Sequence, residues 1–253
     1  MIITQVRESS TLRELTAKLM KCENNTWQRI VTQFRINSKF FKDNNNNCQE
    51  LIQVLRINHA VSNAMSYDYF EQMQFIYLDM LDIYSNVSNL INEEVKQHGE
   101  IAANIPSVKI FRIIKRGILR LMQDFIQNTR NYTIIILDIA PSLFKATLED
   151  YQNCIPELKE FELLKCFTIM LDKCGNKLIP QVKQLFPYIF EPTLNMINKD
   201  LISFPEHRIQ FYKLLNAINK SCFQIFLDLP TINFKLFFDS ICWALKHTNR
   251  EIE

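Results

Sequence analysis

Apolar residues recur along most of the chain at the three- and four-residue spacing that places them on one face of an α-helix. In the first predicted helix Leu12, Leu15 and Leu19 share such a face, and Thr11 with Glu14 has the spacing of a capping box. The same periodicity returns at intervals as far as the last residues. The pattern predicts an all-α protein of about ten helices.

Proline and glycine mark the ends of several predicted helices. Gly99 and Gly175 each follow an apolar periodic stretch, where the left-handed conformation of a helix C-terminus favours glycine. A proline in the first turn is expected to open five helices, because a missing N–H costs nothing there. These prolines are Pro106, Pro156, Pro180, Pro205 and Pro230. Ser203 and Glu206 form a further capping box, and Pro187 and Pro192 are expected to bend the helix that contains them.

The predicted helices group into five pairs, with a polar Asn-rich loop at residues 43–47. The pairs lie near residues 10–41, 47–98, 105–151, 156–199 and 203–248. HEAT and armadillo units repeat every ~40–47 residues, and such pairs must stack on their neighbours to bury their apolar faces. We therefore expect residues 1–253 to form a single segment of a HEAT-repeat α-α superhelical solenoid.

Composition argues against most catalytic folds. The chain has only three glycines, where average usage would give roughly eighteen, and they form no phosphate-binding loop. The four histidines are scattered, and there is neither an H-E-x-x-H nor a G-x-S-x-G motif. We expect no enzyme, no cofactor and no metal site.

The cysteines, the net charge and the apolar runs limit the cellular compartments and the classes of partner that we expect. The seven cysteines form no C-x-x-C pair, which is typical of reduced thiols in the cytosol or nucleus. The net charge of +2 does not favour direct nucleic-acid binding. There is no apolar run of membrane-spanning length and no signal-peptide pattern, so we expect no membrane association.

The most distinctive charge cluster lies on the fifth predicted helix. Its basic residues are Lys109, Arg112, Lys115, Arg116 and Arg120, and no acid occurs between Ile101 and Gln123. At ~100° per residue, Lys109, Arg112, Arg116 and Arg120 form one basic stripe. The interpretations are a solvated outer helix face, a contact surface for a partner, or a membrane surface, and the last is disfavoured because the apolar face of the helix is needed for repeat stacking.

Several runs in the chain resemble one protein family closely. They are Ile76 to Leu81 (IYLDML), Thr193 to Asp200 (TLNMINKD), Pro205 to Arg208 (PEHR), Asp239 to Ala244 (DSI-WA) and Lys246 to Thr248 (KHT). The runs resemble the exportin 1 family of karyopherin-β nuclear export receptors, in the same order. The likeness is dense from about residue 70 onward and matches the C-terminal half of that family.

The resemblance implies both a fold and a set of partners. Members of the family are HEAT-repeat solenoids that bind Ran–GTP together with cargo bearing leucine-rich export signals. They pass the pore of the nuclear envelope by touching Phe-Gly nucleoporins and shuttle between nucleus and cytoplasm. The resemblance fixes no individual contact residue, so the five basic residues of the fifth helix remain the candidate site. The alternative is a cytosolic HEAT scaffold or adaptor without a transport role.

Overall fold

The computed structural model describes residues 9–199 and 202–245, and helices are the only regular elements within these ranges. The prediction of an all-α helical repeat is confirmed. The chain divides after Asn131 into two compact units. Each unit has its own buried apolar core, with Trp27 and Ile114 in the first and Leu163 and Phe211 in the second.

Four long helices build the first unit. They are α1 (Ser9–Ile36), α3 (Asn45–Met65), α4 (Phe70–His98) and α5 (Pro106–Asn128), and a short helix α2 (Phe40–Asp43) stands between α1 and α3. Helix α3 packs against both α1 and α5, and α4 packs against α5. Short 3-10 turns at Ser66–Tyr69 and Gly99–Asn104 make the remaining connections.

Two boundaries in the first unit confirm the sequence prediction. Helix α4 ends at His98, and Gly99 follows it with φ 59° and ψ −143°, a conformation that L side chains strongly disfavour. Pro106 lies in the first turn of α5, where no intrahelical partner for its N–H is needed.

The predicted helix pair at residues 10–41 is wrong, because α1 is one continuous helix of 28 residues. The polar stretch between Met20 and Trp27 contains no proline or glycine that would end a helix. The amide of Asn24 exchanges two hydrogen bonds with that of Gln72 on α4, at 3.0 and 2.7 Å. Its side chain is thus engaged by another helix and does not interrupt the backbone of α1.

The predicted Asn-rich loop at residues 43–47 is also wrong. Asn44 is the N-cap of α3, and its side-chain oxygen accepts a hydrogen bond from the Asn46 backbone N–H at 2.9 Å. Asn45 and Asn47 lie in the first helical turn, and the Asn47 amide donates to the Phe40 carbonyl at 2.9 Å. Asparagine is a favoured N-cap residue, so this run begins a helix.

Shorter helices build the second unit. They are α6 (Tyr132–Ile134), α7 (Ala140–Asn153), α8 (Phe161–Cys174), α9 (Ile179–Leu185), α10 (Glu191–Ile197), α11 (Pro205–Cys222), α12 (Gln224–Leu227) and α13 (Thr231–Ala244). Helix α8 packs against α11, and α10 also contacts α11. Gly175 follows α8, and Pro230 precedes α13, as the sequence predicted. The predicted extension of the last helix towards His247 lies outside the described residues.

Two helical turns of the second unit that lie at or before prolines are π-helical, and therefore wider than an α-helical turn. One π-helical turn, Ile135–Ile139, precedes Pro141, and another, Phe186–Phe190, contains Pro187 and precedes Pro192. A proline lacks the N–H for the usual bond and its ring crowds the preceding turn, which a wider turn relieves. Pro156 opens only a 3-10 turn, and α8 begins at Phe161.

The predicted capping box of Ser203 and Glu206 does not form. The N-cap of α11 is Phe204, which has a left-handed backbone (φ 57°, ψ 48°) and makes no side-chain cap. The residue before a proline is disfavoured in the right-handed helical region, and Pro205 follows here. The Ser203 carbonyl instead accepts a hydrogen bond from Arg208 at 2.9 Å.

Candidate functional site

Helix α5 carries the predicted basic residues and lies close against α3. Gly117 lies close to Leu55 of α3, since a Cβ there would stand 3.3 Å from Leu55 Cδ1. That separation is tighter than ordinary van der Waals contact, so the absence of a side chain at Gly117 lets the two helices approach. The only acidic residue of α5 is Asp124.

Four of the five predicted basic residues reach the surface. Lys109 and Arg120 are exposed, and Arg112 and Arg116 are half-buried. They lie three or four positions apart on α5, as the helical spacing predicted. That they contact a partner stays a prediction.

Lys115 has to be removed from the predicted surface, because it is only 1% exposed. Its Nζ lies over the Tyr84 ring of α4, 4.8 Å from the centroid. The buried Phe111 and Leu119 stand four positions before and after it on the same helix face. That spacing is the signal in the sequence that places Lys115 with the apolar face of α5.

A groove between α3 and α5, which we call the α3–α5 groove, adds residues that the sequence did not single out. Its volume is about 240 Å³. The lining residues are Ile52, Leu55, Arg56 and His59 from α3, and Ile113, Arg116, Gly117 and Arg120 from α5. Arg56 thus joins two arginines of the basic stripe, although it is distant from them in sequence and no local pattern relates them.

The charges at the groove are unequal. Three arginines line it, and neither an aspartate nor a glutamate is among its lining residues. The Asp124 carboxylate stands next to the groove, in contact with Nδ1 of His59. Lys109 and Arg112 extend the positive charge along α5 beyond the groove. This part of the first unit therefore favours anionic groups.

The motifs that carry the family resemblance lie mainly in the second unit, and several of their polar side chains are buried, namely Thr193, His207, Arg208 and Ser240. The Tyr151 hydroxyl is 2.9 Å from Thr193 Oγ1, and Thr193 in turn donates to the Ile189 carbonyl at 2.6 Å. Burial raises the pKa of the Tyr151 phenol well above its ordinary value. Both hydroxyls serve internal packing.

Arg208 connects three parts of the second unit. Its guanidinium donates to the Ile197 carbonyl at 3.0 Å and to the Ser203 carbonyl at 2.9 Å, and it lies 5.2 Å from the Trp243 ring. The Trp243 ring also stacks on Tyr212. These motif residues hold helices together, so the recognisable part of the sequence reflects the fold of this unit.

Metal-binding clusters and membrane-spanning helices are both absent from the described part of the chain. Residues 9–199 and 202–245 contain no group of three or more His, Cys, Asp or Glu side chains arranged to hold a metal ion. None of the described helices combines the length and apolar character that crossing a membrane requires.

Comparison with known proteins decides the family. The family model described as CRM1 C terminal matches residues 72–253. The chain belongs to the exportin 1 family. The resemblance seen from about residue 70 onward is thereby confirmed, and the HEAT-type helical repeat agrees with this family.

Individual exportin 1 relatives match most of the chain. It is 36% identical over 196 residues to Exportin-1 of Drosophila melanogaster, covering 77% of this chain and 18% of the relative. It is 34% identical over 235 residues to Exportin-1 of Schizosaccharomyces pombe, covering 93% and 22%. With Exportin-1 of Dictyostelium discoideum the identity is 29% over 253 residues, covering 99% and 23%. The chain thus spans about a fifth of the length of these relatives.

Proposed function

We propose that this chain is a protein-binding segment of a nuclear export receptor. The observation that carries the proposal is the match of residues 72–253 to the C-terminal family model of the exportin 1 family. The receptor would carry cargo bearing leucine-rich export signals, together with Ran–GTP, through the nuclear pore. Because the chain spans about a fifth of its relatives' length, we assign it a binding role within that activity.

The partners and the location follow from the same proposal. Ran–GTP, export-signal cargo and Phe-Gly nucleoporins would be the proteins that the receptor meets. The receptor would shuttle between nucleus and cytoplasm through the nuclear envelope. We assign the segment no enzymatic role, and a helical repeat without a catalytic motif is compatible with that choice.

The basic stripe of α5 is the surface that we propose for partner contact. Lys109, Arg112, Arg116 and Arg120 present positive charge along one helix face, and Asp124 is the only acid on that helix. An acidic patch of Ran–GTP or of a cargo protein would complement this charge. Complementary charge chiefly raises the association rate and suppresses wrong partners.

Charge reversal tests this proposal. The triple variant Arg112→Glu, Arg116→Glu, Arg120→Glu should slow association of the chain with Ran–GTP and export-signal cargo by about tenfold, because several surface ion pairs with the partner, of up to ~1 kcal/mol each, are removed. Raising the salt from about 0.1 M to about 1 M shortens the screening length from ~10 to ~3 Å and should reduce the difference. Surface plasmon resonance measures the association rates of the original chain and of the triple variant at both salt concentrations.

A matched control carries the same charge change elsewhere. Lys18, Lys21 and Lys165 are exposed and lie on α1 and α8, so their replacement by glutamate should leave the association rate within about twofold. If neither Ran–GTP nor an export-signal cargo binds the folded chain, the proposed function fails. If the triple variant associates at the original rate in low salt, the stripe is a solvated helix face.

A further inference from the structure

The α3–α5 groove combines an apolar floor with a basic rim. Ile52 and Leu55 are buried beneath it, and Ile113 lines it with 45% of its surface exposed. Arg56 and Arg120 are exposed at the same groove. An exposed isoleucine and exposed arginines at one groove offer apolar contact and positive charge together.

The size of the groove limits what it can take. Small-molecule sites usually enclose ~300–1,000 Å³, whereas this groove has about 240 Å³. Such a space accommodates one or two side chains of a larger partner. A bare phosphate would use the arginines and leave Ile113 uncovered, and a nucleic-acid backbone would do the same.

We propose that the α3–α5 groove binds an acidic peptide segment of a partner protein, with one apolar side chain against Ile113 and flanking carboxylates beside Arg56 and Arg120. The proposal rests on the proposed function only for the class of partner, a protein. The guanidinium group is planar and its paired N–H donors match a carboxylate, which favours acidic side chains as the flanking groups.

The positions of Gly117 and of the His59–Asp124 contact are compatible with an acidic peptide segment in the groove. A Cβ at Gly117 would press on Leu55, so the glycine keeps the two helices close and the groove floor formed. The Asp124 carboxylate contacts Nδ1 of His59. Three arginines and this one carboxylate stand at or beside the groove, so positive charge is in excess where the peptide would lie.

Fluorescence anisotropy with labelled peptides tests the proposal on the whole chain. The probes carry the cores Glu-Glu-Leu-Glu-Glu, Glu-Glu-Ser-Glu-Glu and Lys-Lys-Leu-Lys-Lys. We expect the first peptide to bind best, the serine peptide to bind several-fold more weakly, and the lysine peptide not to bind. Equal affinity of the leucine and serine peptides, or binding of the lysine peptide, would overturn the proposal.

Two groove variants separate the apolar and the charged contribution. Arg56→Glu with Arg120→Glu should weaken the leucine peptide by about tenfold or more, which corresponds to about 1.4 kcal/mol. Ile113→Ser should weaken the leucine peptide by about three- to tenfold and leave the serine peptide unchanged. Circular dichroism must show unchanged helix content in both variants.

The matched control makes the same charge change in the first unit but outside the groove and the basic stripe. Lys18→Glu with Lys21→Glu, at two exposed positions of α1, should alter peptide affinity by less than about twofold. An equal loss of affinity in this control would mean that the general positive field attracts the peptide, and the groove proposal would fail. Displacement of the peptide by a DNA oligonucleotide at lower concentration than by unlabelled peptide would also overturn it.

These outcomes are distinguishable from those for the proposed function. A chain that binds Ran–GTP or cargo but not the leucine peptide contradicts only the groove proposal. A chain that binds the leucine peptide through Arg56, Ile113 and Arg120 but neither Ran–GTP nor export-signal cargo contradicts only the proposed function.

Discussion

Replacement of Arg208 by methionine is the most direct test of how the second unit is held together. The side chain is 1% exposed, and its guanidinium donates to the Ile197 and Ser203 carbonyls at 3.0 and 2.9 Å. These carbonyls lie at the end of α10 and in the segment before α11. Methionine preserves an unbranched side chain but removes both donors and the charge over the Trp243 ring.

The magnitude follows from the interactions that the substitution removes. A hydrogen bond from a charged donor contributes ~1.5–3 kcal/mol, and the cation–π interaction adds ~0.5–2 kcal/mol. Removing the buried charge also removes its desolvation cost, which offsets part of this stabilisation. We expect the free energy of unfolding of the second unit to fall by about 2–4 kcal/mol. Arg208→Lys should retain only part of the free energy of unfolding that Arg208→Met loses, because an ammonium group cannot reproduce the planar arrangement of the guanidinium N–H donors.

Hydrogen exchange followed by mass spectrometry measures this effect unit by unit. Since each ~1.4 kcal/mol is a factor of ten, amides of α8 and α11 should exchange about 30-fold to several-hundred-fold faster in the methionine variant. Amides of α5, which belongs to the first unit, serve as the internal reference. Lys220→Met, an exposed position on the same helix α11, is the matched control and should change stability by less than about 0.5 kcal/mol.

One result would refute the reasoning. If Arg208→Met changes the exchange of α8 and α11 by no more than the Lys220→Met control, the two carbonyls do not depend on the guanidinium. The buried polar side chains of the family motifs would then not be what stabilises this unit.

Three further predictions concern the first unit and the thiols. Gly99→Ala should lower the free energy of unfolding by about 1–3 kcal/mol in thermal melts, because φ is 59° and a Cβ would contact nothing within 4 Å that could compensate; an unchanged melting temperature would contradict this. In native protein the exposed Cys22 and Cys242 should be alkylated quickly at about pH 8 and Cys48 slowly, since burial raises the pKa of the Cys48 thiol to about 11; equal labelling by mass spectrometry would argue against it. Because the pKa of Cys48 in the folded chain lies above the ordinary value of 9.0, the protonated thiol stabilises the fold. This contribution to the free energy of unfolding is present below about pH 9 and is lost as the pH rises towards about 11. Cys48→Ala should therefore flatten the decline of the unfolding free energy over this range, measured with urea, and an identical slope would exclude the thiol as its cause.

The sequence predicted helix boundaries best where the residue at the boundary itself determines the backbone conformation. Gly99 ends α4 and Pro106 opens α5 because backbone conformation at these positions depends on the residue itself. The basic stripe was also predictable, since helical spacing alone places Lys109, Arg112, Arg116 and Arg120 together.

Elsewhere, contacts between helices overrode the local signal. The sequence predicted a helix pair within residues 10–41, yet α1 is continuous there, and the Asn24 amide hydrogen-bonds to Gln72 of another helix. Lys115 carries a charge, yet it is buried over Tyr84 because its position on α5 belongs to the packed face. Ser203 does not cap α11, whose N-cap is Phe204, and the Ser203 carbonyl instead accepts a hydrogen bond from Arg208.

By itself, then, the sequence determined that this chain is helical, where several helices begin or end, and to which family it belongs, because periodicity, proline, glycine and motif identity are all properties of short segments. Only the tertiary structure decided which charged side chains reach solvent and which residues meet across helices. Arg56 and Arg120 line one groove because Gly117 lets α5 approach Leu55 of α3. That proximity depends on packing between residues far apart in the chain, which no local pattern records.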